Sequence, residues 1–235
     1  MSTFTDFCNK VYNTVDNKNT RVLPYIKEAT VRWLMELSKE RMTLLESTFT
    51  FTLIQNQQTY DGAVSGFPAD AIEFDNVWAK YVNDATGYKY EVKGPRPISE
   101  ISLSHGPLVY GTNLGIRPYA YAFHDGKMWF SPIPSSAVIT VGGEYLRDGT
   151  KDAASGNPIT VDSTTHTNPW FQRGETALLN AVLFDVYASI LKDLQSASIF
   201  REMHEKALQV LREQHAGRSN PGGQARYSFG DQVRF

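Results

Sequence analysis

The sequence lacks most of what a metal site, a disulfide framework or a phosphate-gripping surface requires. It has one cysteine, Cys8, in 235 residues. A lone cysteine cannot close an internal disulfide and cannot supply the thiolates of a common structural zinc site. No apolar run approaches the ~20 residues that cross a bilayer as a helix, so no membrane partner is expected. Neither sign of charge is in excess: 23 Lys and Arg stand against 25 Asp and Glu, a net charge of −2. Proteins that grip phosphates usually carry a basic surplus, although balance is compatible with letting DNA pass without holding it. The opening "MSTFTDFCNK" has no basic segment followed by an apolar run, so no secretory signal is expected and the chain reads as cytosolic and reduced. There is no Gly-rich phosphate loop and no internal repeat. Gly142-Gly143 in "VGGEY" sits inside a strand pattern and reads as a bulge.

What remains is an ordinary globular composition, 41% hydrophobic and 20% charged. Phe4, Phe7, Cys8, Val11, Tyr12 and Val15 fall on one helical stripe. Pro24 suits a first helical turn, and Ile26, Ala29, Trp33, Leu34, Leu37 and Leu44 line one side of a helix predicted from Pro24 to about Leu45. At Ser47 the period changes. Thr48, Thr50 and Thr52 alternate with Phe49, Phe51 and Leu53, the pattern of a half-buried strand. Ala71–Val82 reads as a strand with Ile72, Phe74 and Val77 facing inward, and "GYKYEV" as another. "ISEISL" is short enough for one helical turn after Pro97. Pro118–Phe123 reads as a strand with Tyr119, Tyr121 and Phe123 on one face. Asp125-Gly126 is a hairpin signal, because both residues favour positive φ. "KMWFSP" and Ala137–Leu146 continue the sheet.

From Arg147 to Asn168 the chain is polar and loop-like. Asn168 then caps a helix with Pro169 at its first position. Trp170, Ala177, Leu178, Ala181, Val182, Phe184, Tyr187, Ile190 and Leu191 give that helix a broad apolar face. A second helix is predicted over about Ser196–His215, with Ile199, Met203, Ala207, Leu208 and Leu211 inward and Gly217 as its stop. The short connection makes these two antiparallel neighbours. The expected fold class is α+β: an antiparallel helical bundle of N- and C-terminal helices, an inserted antiparallel β-sandwich or small barrel, and an extended C-terminal tail. The expected division is 1–47 helices, 48–150 β domain, 151–167 polar loop, 168–217 helices and 218–235 docking arm.

Candidate chemistry is sparse. His124, Asp125 and Ser131 are the residue types of a hydrolase, but neighbours on a hairpin turn point apart, whereas a triad converges. His204-Glu205 has the start of a zinc-protease helix motif, with Leu208 where the second histidine belongs, so both read as solvent-facing. His105 and His166 stand alone in loops. Asp61, Asp70, Glu73 and Asp75 are too sparse for calcium and read as solvated edges. Cys8 reads as packing. No catalytic residue, metal site or cofactor is expected. The end of the chain differs: Arg226, Tyr227, Phe229, Arg234 and Phe235, with little acid except Asp231, read as a segment that orders on a partner. The bland alternative is an end without a role.

Four stretches, in order, resemble head-to-tail adaptor (connector, or head-completion) proteins of tailed bacteriophages. "RVLPYIKEATVRWLMEL" resembles their first long helix. "FTLIQNQQTYD" followed by "GFPADAIEFDNVW" resembles a strand–turn–"FPAD"–strand signature. "AYAFHDGKMWFSPIPSSAVITVGGEYLR" resembles the hairpin that follows, and "NPWFQRGETALLNAVLFDVYASILKD" the downstream helix. The likeness runs from about Arg21 to Gly217; the polar Arg147–Asn168 loop and the long tail depart from it. It implies a non-enzymatic virion protein, assembled in the host cytoplasm as a ring of about twelve copies beneath the portal. The ring would extend the DNA channel without sequence-specific binding and offer a surface to tail nozzle, tube or fibre proteins. A terminal segment, here Gln224–Phe235, would reach the portal. These properties come from the resemblance alone. The rival classes are an enzymatic tail component and a carbohydrate-binding sandwich using Tyr88, Tyr90, Tyr119 and Tyr121.

Overall fold

A computed structural model describes residues 2–15, 21–82, 87–103, 118–134 and 139–219. The chain divides into two compact units, one from Met1–Leu45 and Asp148–Gln224 and the other from Glu46–Arg147. The fold is mixed α+β, with five α-helices and antiparallel sheets among the described residues.

The helical unit begins with α1 (Phe4–Thr14). Thr3 opens it with a capping box: its hydroxyl accepts from the Asp6 N–H at 3.2 Å, and the Asp6 carboxylate accepts from the Thr3 N–H at 3.0 Å. Phe4, Phe7, Cys8 and Val11 are buried, with the Phe4 and Phe7 rings 6.0 and 5.3 Å from that of Phe171. Helix α2 (Val22–Leu37) stops eight residues short of the predicted Leu45. Met42, Leu44 and Leu45 are all buried. The backbone tightens after Leu37, with the Lys39 N–H donating to the Glu36 carbonyl at 3.2 Å and the Glu40 N–H to the Leu37 carbonyl at 3.3 Å, which closes the helix. A 3₁₀ turn follows at Thr43–Leu45.

The polar stretch after Arg147 is built around Asp152. Its carboxylate accepts from the Ser155 N–H at 2.8 Å and the Thr167 N–H at 2.7 Å. Asn168 then caps as expected, accepting from Trp170 N–H at 2.9 Å. The first turn, Pro169–Phe171, is 3₁₀, and α4 (Glu175–Asp185) starts afresh after Gly174. A π-helical turn, Val186–Leu191, ends at Lys192 in the left-handed region. Asp193 caps α5 (Leu194–Ser219), which runs through Gly217 rather than stopping there. A helical glycine costs only about 1 kcal/mol relative to alanine. The buried face of α5 carries Ala197, His204 and Leu208, while Ile199 and Met203, predicted inward, are 53% and 46% exposed. Helix α4 packs on α1, α2 and α5.

The β unit contains β1 (Glu46–Thr52), β2 (Thr59–Tyr60), β3 (Ala71–Tyr81), β4 (Tyr90–Glu91), β5 (Ala120–His124), β6 (Lys127–Ser131) and β7 (Ile139–Arg147), with the one-turn helix α3 (Ile98–Leu103). One sheet has the order β1-β7-β3-β4, the other β2-β6-β5; neither is a closed barrel. Phe49, Phe51, Phe74, Val141 and Tyr145 of the first share a core with Tyr60, Tyr121, Met128 and Phe130 of the second. Strand β3 carries two irregularities against β7. Ile72 has no opposite number, and Asn76 with Val77 faces the single Gly143. Each extra residue shifts the alternation by one, which turns Ile72 outward (46% exposed) against expectation and keeps Phe74 and Val77 buried. The bulge thus lies opposite the glycine pair. A Cβ on Gly142 would stand 2.5 Å from the Trp78 ring. Gly66, at φ +86°, lets the preceding loop lie against β1; a Cβ there would be 2.3 Å from the Thr50 carbonyl oxygen.

Candidate functional site

The hairpin residues do not converge. Asp125 and Gly126 take φ of +51° and +69°, as the turn demands. His124 pairs with Lys127 at the exposed tip, whereas Ser131 pairs with Ala120 at the far end of the ladder. Four residues of strand separate His124 from that pair, roughly 13 Å. Ser131 is buried, and no nucleophile–base pair exists here.

The other titratable candidates are also held apart or occupied. Cys8 is buried beside Thr30, and burial pushes its thiol up to about 11. Asp70 is not a solvated edge: it is 2% exposed, with Arg147 at 3.6 Å. His204 is not solvent-facing either. It is 8% exposed, and its Nδ1 lies 2.8 Å from the Ala177 carbonyl oxygen, while Glu205 is exposed and meets Arg201. No group of three or more His, Cys, Asp or Glu capable of holding a metal occurs among the described residues. The four tyrosines do not share a face. Tyr88 and Tyr119 are exposed, Tyr90 is half-buried, and Tyr121 is buried with its hydroxyl donating to the Phe74 carbonyl at 3.1 Å. His105 and the tail residues Arg226, Tyr227, Phe229, Arg234 and Phe235 lie outside the described residues.

Among the described residues, a groove of about 760 Å³ lies between α2, α4 and α5. Trp33, Phe184 and Leu208 line it, with Arg201, Glu205 and Arg212. Trp33 is fixed on two sides: its indole N–H donates to Asp185 at 2.9 Å, and its ring lies 5.1 Å from that of His204. Arg32 donates to the same Asp185 oxygen at 2.6 Å. Arg212 grips Glu40 with two N–H donors, Nε at 2.8 Å, and this hydrogen bonding holds the Glu40 carboxyl below its ordinary value. On the face of α5 turned away from the groove-lining Arg201, Glu205, Leu208 and Arg212, Ile199, Met203 and Val210 form an exposed apolar stripe, at 53%, 46% and 52% exposure. Trp33 is half-buried and Arg201 and Arg212 are exposed, and tryptophan and arginine are residue types enriched at protein interfaces. Sequence reading missed the groove because Trp33, Asp185 and Arg212 are far apart along the chain.

A family model for the SU10 adaptor protein matches residues 2–226. This chain belongs to the SU10 adaptor protein family. No individually curated protein matches it. The match takes in both units of this SU10-family chain and agrees with the likeness to phage head-to-tail adaptors carried by its sequence motifs. The family is one of structural phage adaptors, which implies interaction with portal and tail proteins in general. The groove and the α5 stripe both belong to the helical unit.

Proposed function

We propose that this adaptor assembles as a ring, of about twelve copies, beneath the portal of a tailed phage head. The ring extends the DNA channel and presents an attachment surface to tail nozzle, tube or fibre proteins. We read its helical unit as an antiparallel bundle and its two sheets as a sandwich. The observation that carries the reading is the uncovered apolar stripe of α5, Ile199–Met203–Val210, on a chain of this family. Its three half-exposed side chains fall far short of the ~800 Å² per partner of a stable pair. Such a contact gains strength by repetition around a closed, head-to-tail ring, where each copy meets the next through different faces. The net charge of −2 suits a channel that DNA traverses without being trapped. Gln224–Phe235, with Arg226, Tyr227, Phe229, Arg234 and Phe235, serves in this reading as the arm that docks on the portal.

Two measurements separate the parts of the proposal. Mixing the chain with its portal and measuring particle mass should give a ring; Met203→Glu with Val210→Glu should abolish it while leaving the thermal transition in place. Unchanged ring formation by that variant would remove the stripe from the interface. Deleting residues 224–235 should leave the chain folded and prevent attachment to DNA-filled, tailless heads. Attachment at the wild-type level would show that the arm has no such role.

A further inference from the structure

Trp170 is fully buried, and its indole N–H has no hydrogen-bond partner. The Ser38 hydroxyl, just past the end of α2, is likewise shielded and unpartnered. These two polar atoms border one spot. A Cβ built on Gly149 would stand 3.0 Å from Trp170 Nε1 and 2.2 Å from Ser38 Oγ. The two atoms therefore lie within about 5 Å of each other, a span that one water at ordinary hydrogen-bond lengths of about 2.8 Å covers. The chemistry also matches: an indole nitrogen only donates, while a hydroxyl both donates and accepts. Native interiors rarely leave such groups unmet, and internal waters are the usual answer where protein partners are lacking.

We propose that one internal water bridges Trp170 Nε1 and Ser38 Oγ beside Gly149. It joins the end of α2 to the two segments that pack on it, the turn at Gly149 and the 3₁₀ turn at Pro169–Phe171. The surrounding bonds fix the site. Asn168 donates its side-chain N–H to the Gly149 carbonyl at 2.8 Å and to the Lys151 carbonyl at 3.0 Å, and it accepts from the Trp170 N–H. Gly174 lies against the other part of the indole, where a Cβ would be 2.2 Å from Cε3. The ring is thus packed between two glycines and cannot turn its N–H toward solvent. Gly149 has a second duty: a side chain there would collide with Ser38 and close the water's place.

The test is nuclear magnetic resonance of the whole chain, with Trp170→Phe assigning the indole signal among the four tryptophans. The expected result is a cross-peak between the Trp170 indole proton and a long-lived water, weakened severalfold in Ser38→Ala, a small change that leaves the core packed. No cross-peak in the wild type would overturn the proposal. So would a cross-peak of the same strength in Ser38→Ala, or a crystal structure in which Nε1 reaches Oγ directly. None of these outcomes depends on ring assembly.

Discussion

Trp33 and Asp185 stand 152 residues apart in sequence, and a 2.9 Å hydrogen bond joins them beside the groove. The carboxylate closes α4; the indole projects from α2. Arg32 binds the same oxygen, but it is half exposed, so solvent screens most of its charge contribution. Removing the acceptor in Asp185→Ala leaves a part-buried indole N–H unmet, a loss of about 1–3 kcal/mol. Asp185→Asn, which keeps an oxygen, should lose less. Urea denaturation of the two variants checks the order.

Glycine is required at residue 66 for two reasons, at residue 126 for one. Both have positive φ, +86° and +69°. An added Cβ at Gly126 meets nothing within 4 Å, whereas at Gly66 it meets the Thr50 carbonyl oxygen at 2.3 Å. Gly126→Ala should cost about 1 kcal/mol, the backbone strain alone. Gly66→Ala should cost more, because the loop must also lift off β1. Thermal melts that rank the two equally would contradict this.

Asp152 should make the helical unit acid-sensitive. Burial raises its pKa, but the hydroxyl and N–H of Ser155 and the N–H of Thr167 outweigh that and hold it below its ordinary 3.8. A value lower in the folded chain means that protonation favours unfolding. The contribution is complete above about pH 4 and is lost as pH falls through the folded value. Asp152→Asn should be less stable at pH 7, by roughly 1–3 kcal/mol, and should show a flatter decline below pH 4. Denaturation midpoints taken from pH 7 down to pH 2 read both effects.

Cys8 should react slowly. Its thiol is raised from 9.0 to about 11 by burial. At pH 8 that shift alone lowers the thiolate fraction about a hundredfold, before access is considered. Ellman's reagent should modify the native chain at least that much more slowly than the urea-unfolded one. Comparable rates would place the thiol at the surface.

Patterns local to one strand or one turn were legible in the sequence. Thr48–Leu53 alternates as read, because one face of β1 meets a core and the other does not. Asp125-Gly126 and Asn168-Pro169 carry their backbone preferences in the residue types themselves. Features that depend on a partner element were not legible. The outward turn of Ile72 needs the register of β7, since a bulge is a mismatch between two strands. The inward face of α5 was misread because His204 was counted as polar, although the Ala177 carbonyl gives it a partner inside. The end of α2 is marked by the tightened backbone bonds of Lys39 and Glu40, a closure that apolar spacing does not express. The groove was invisible for the same reason: Trp33 of α2, Phe184 of α4 and Arg212 of α5 come together only in three dimensions.

In the register of β1 with β7, Glu46 lies opposite Leu146. The chain therefore enters the β unit and leaves it on neighbouring strands, one ladder spacing, about 5 Å, apart. A segment whose two ends meet in this way can be cut out and its ends joined by a very short linker. Circularised residues 46–147 should be a self-standing miniature protein, and a foreign module with equally close ends should be exchangeable for it.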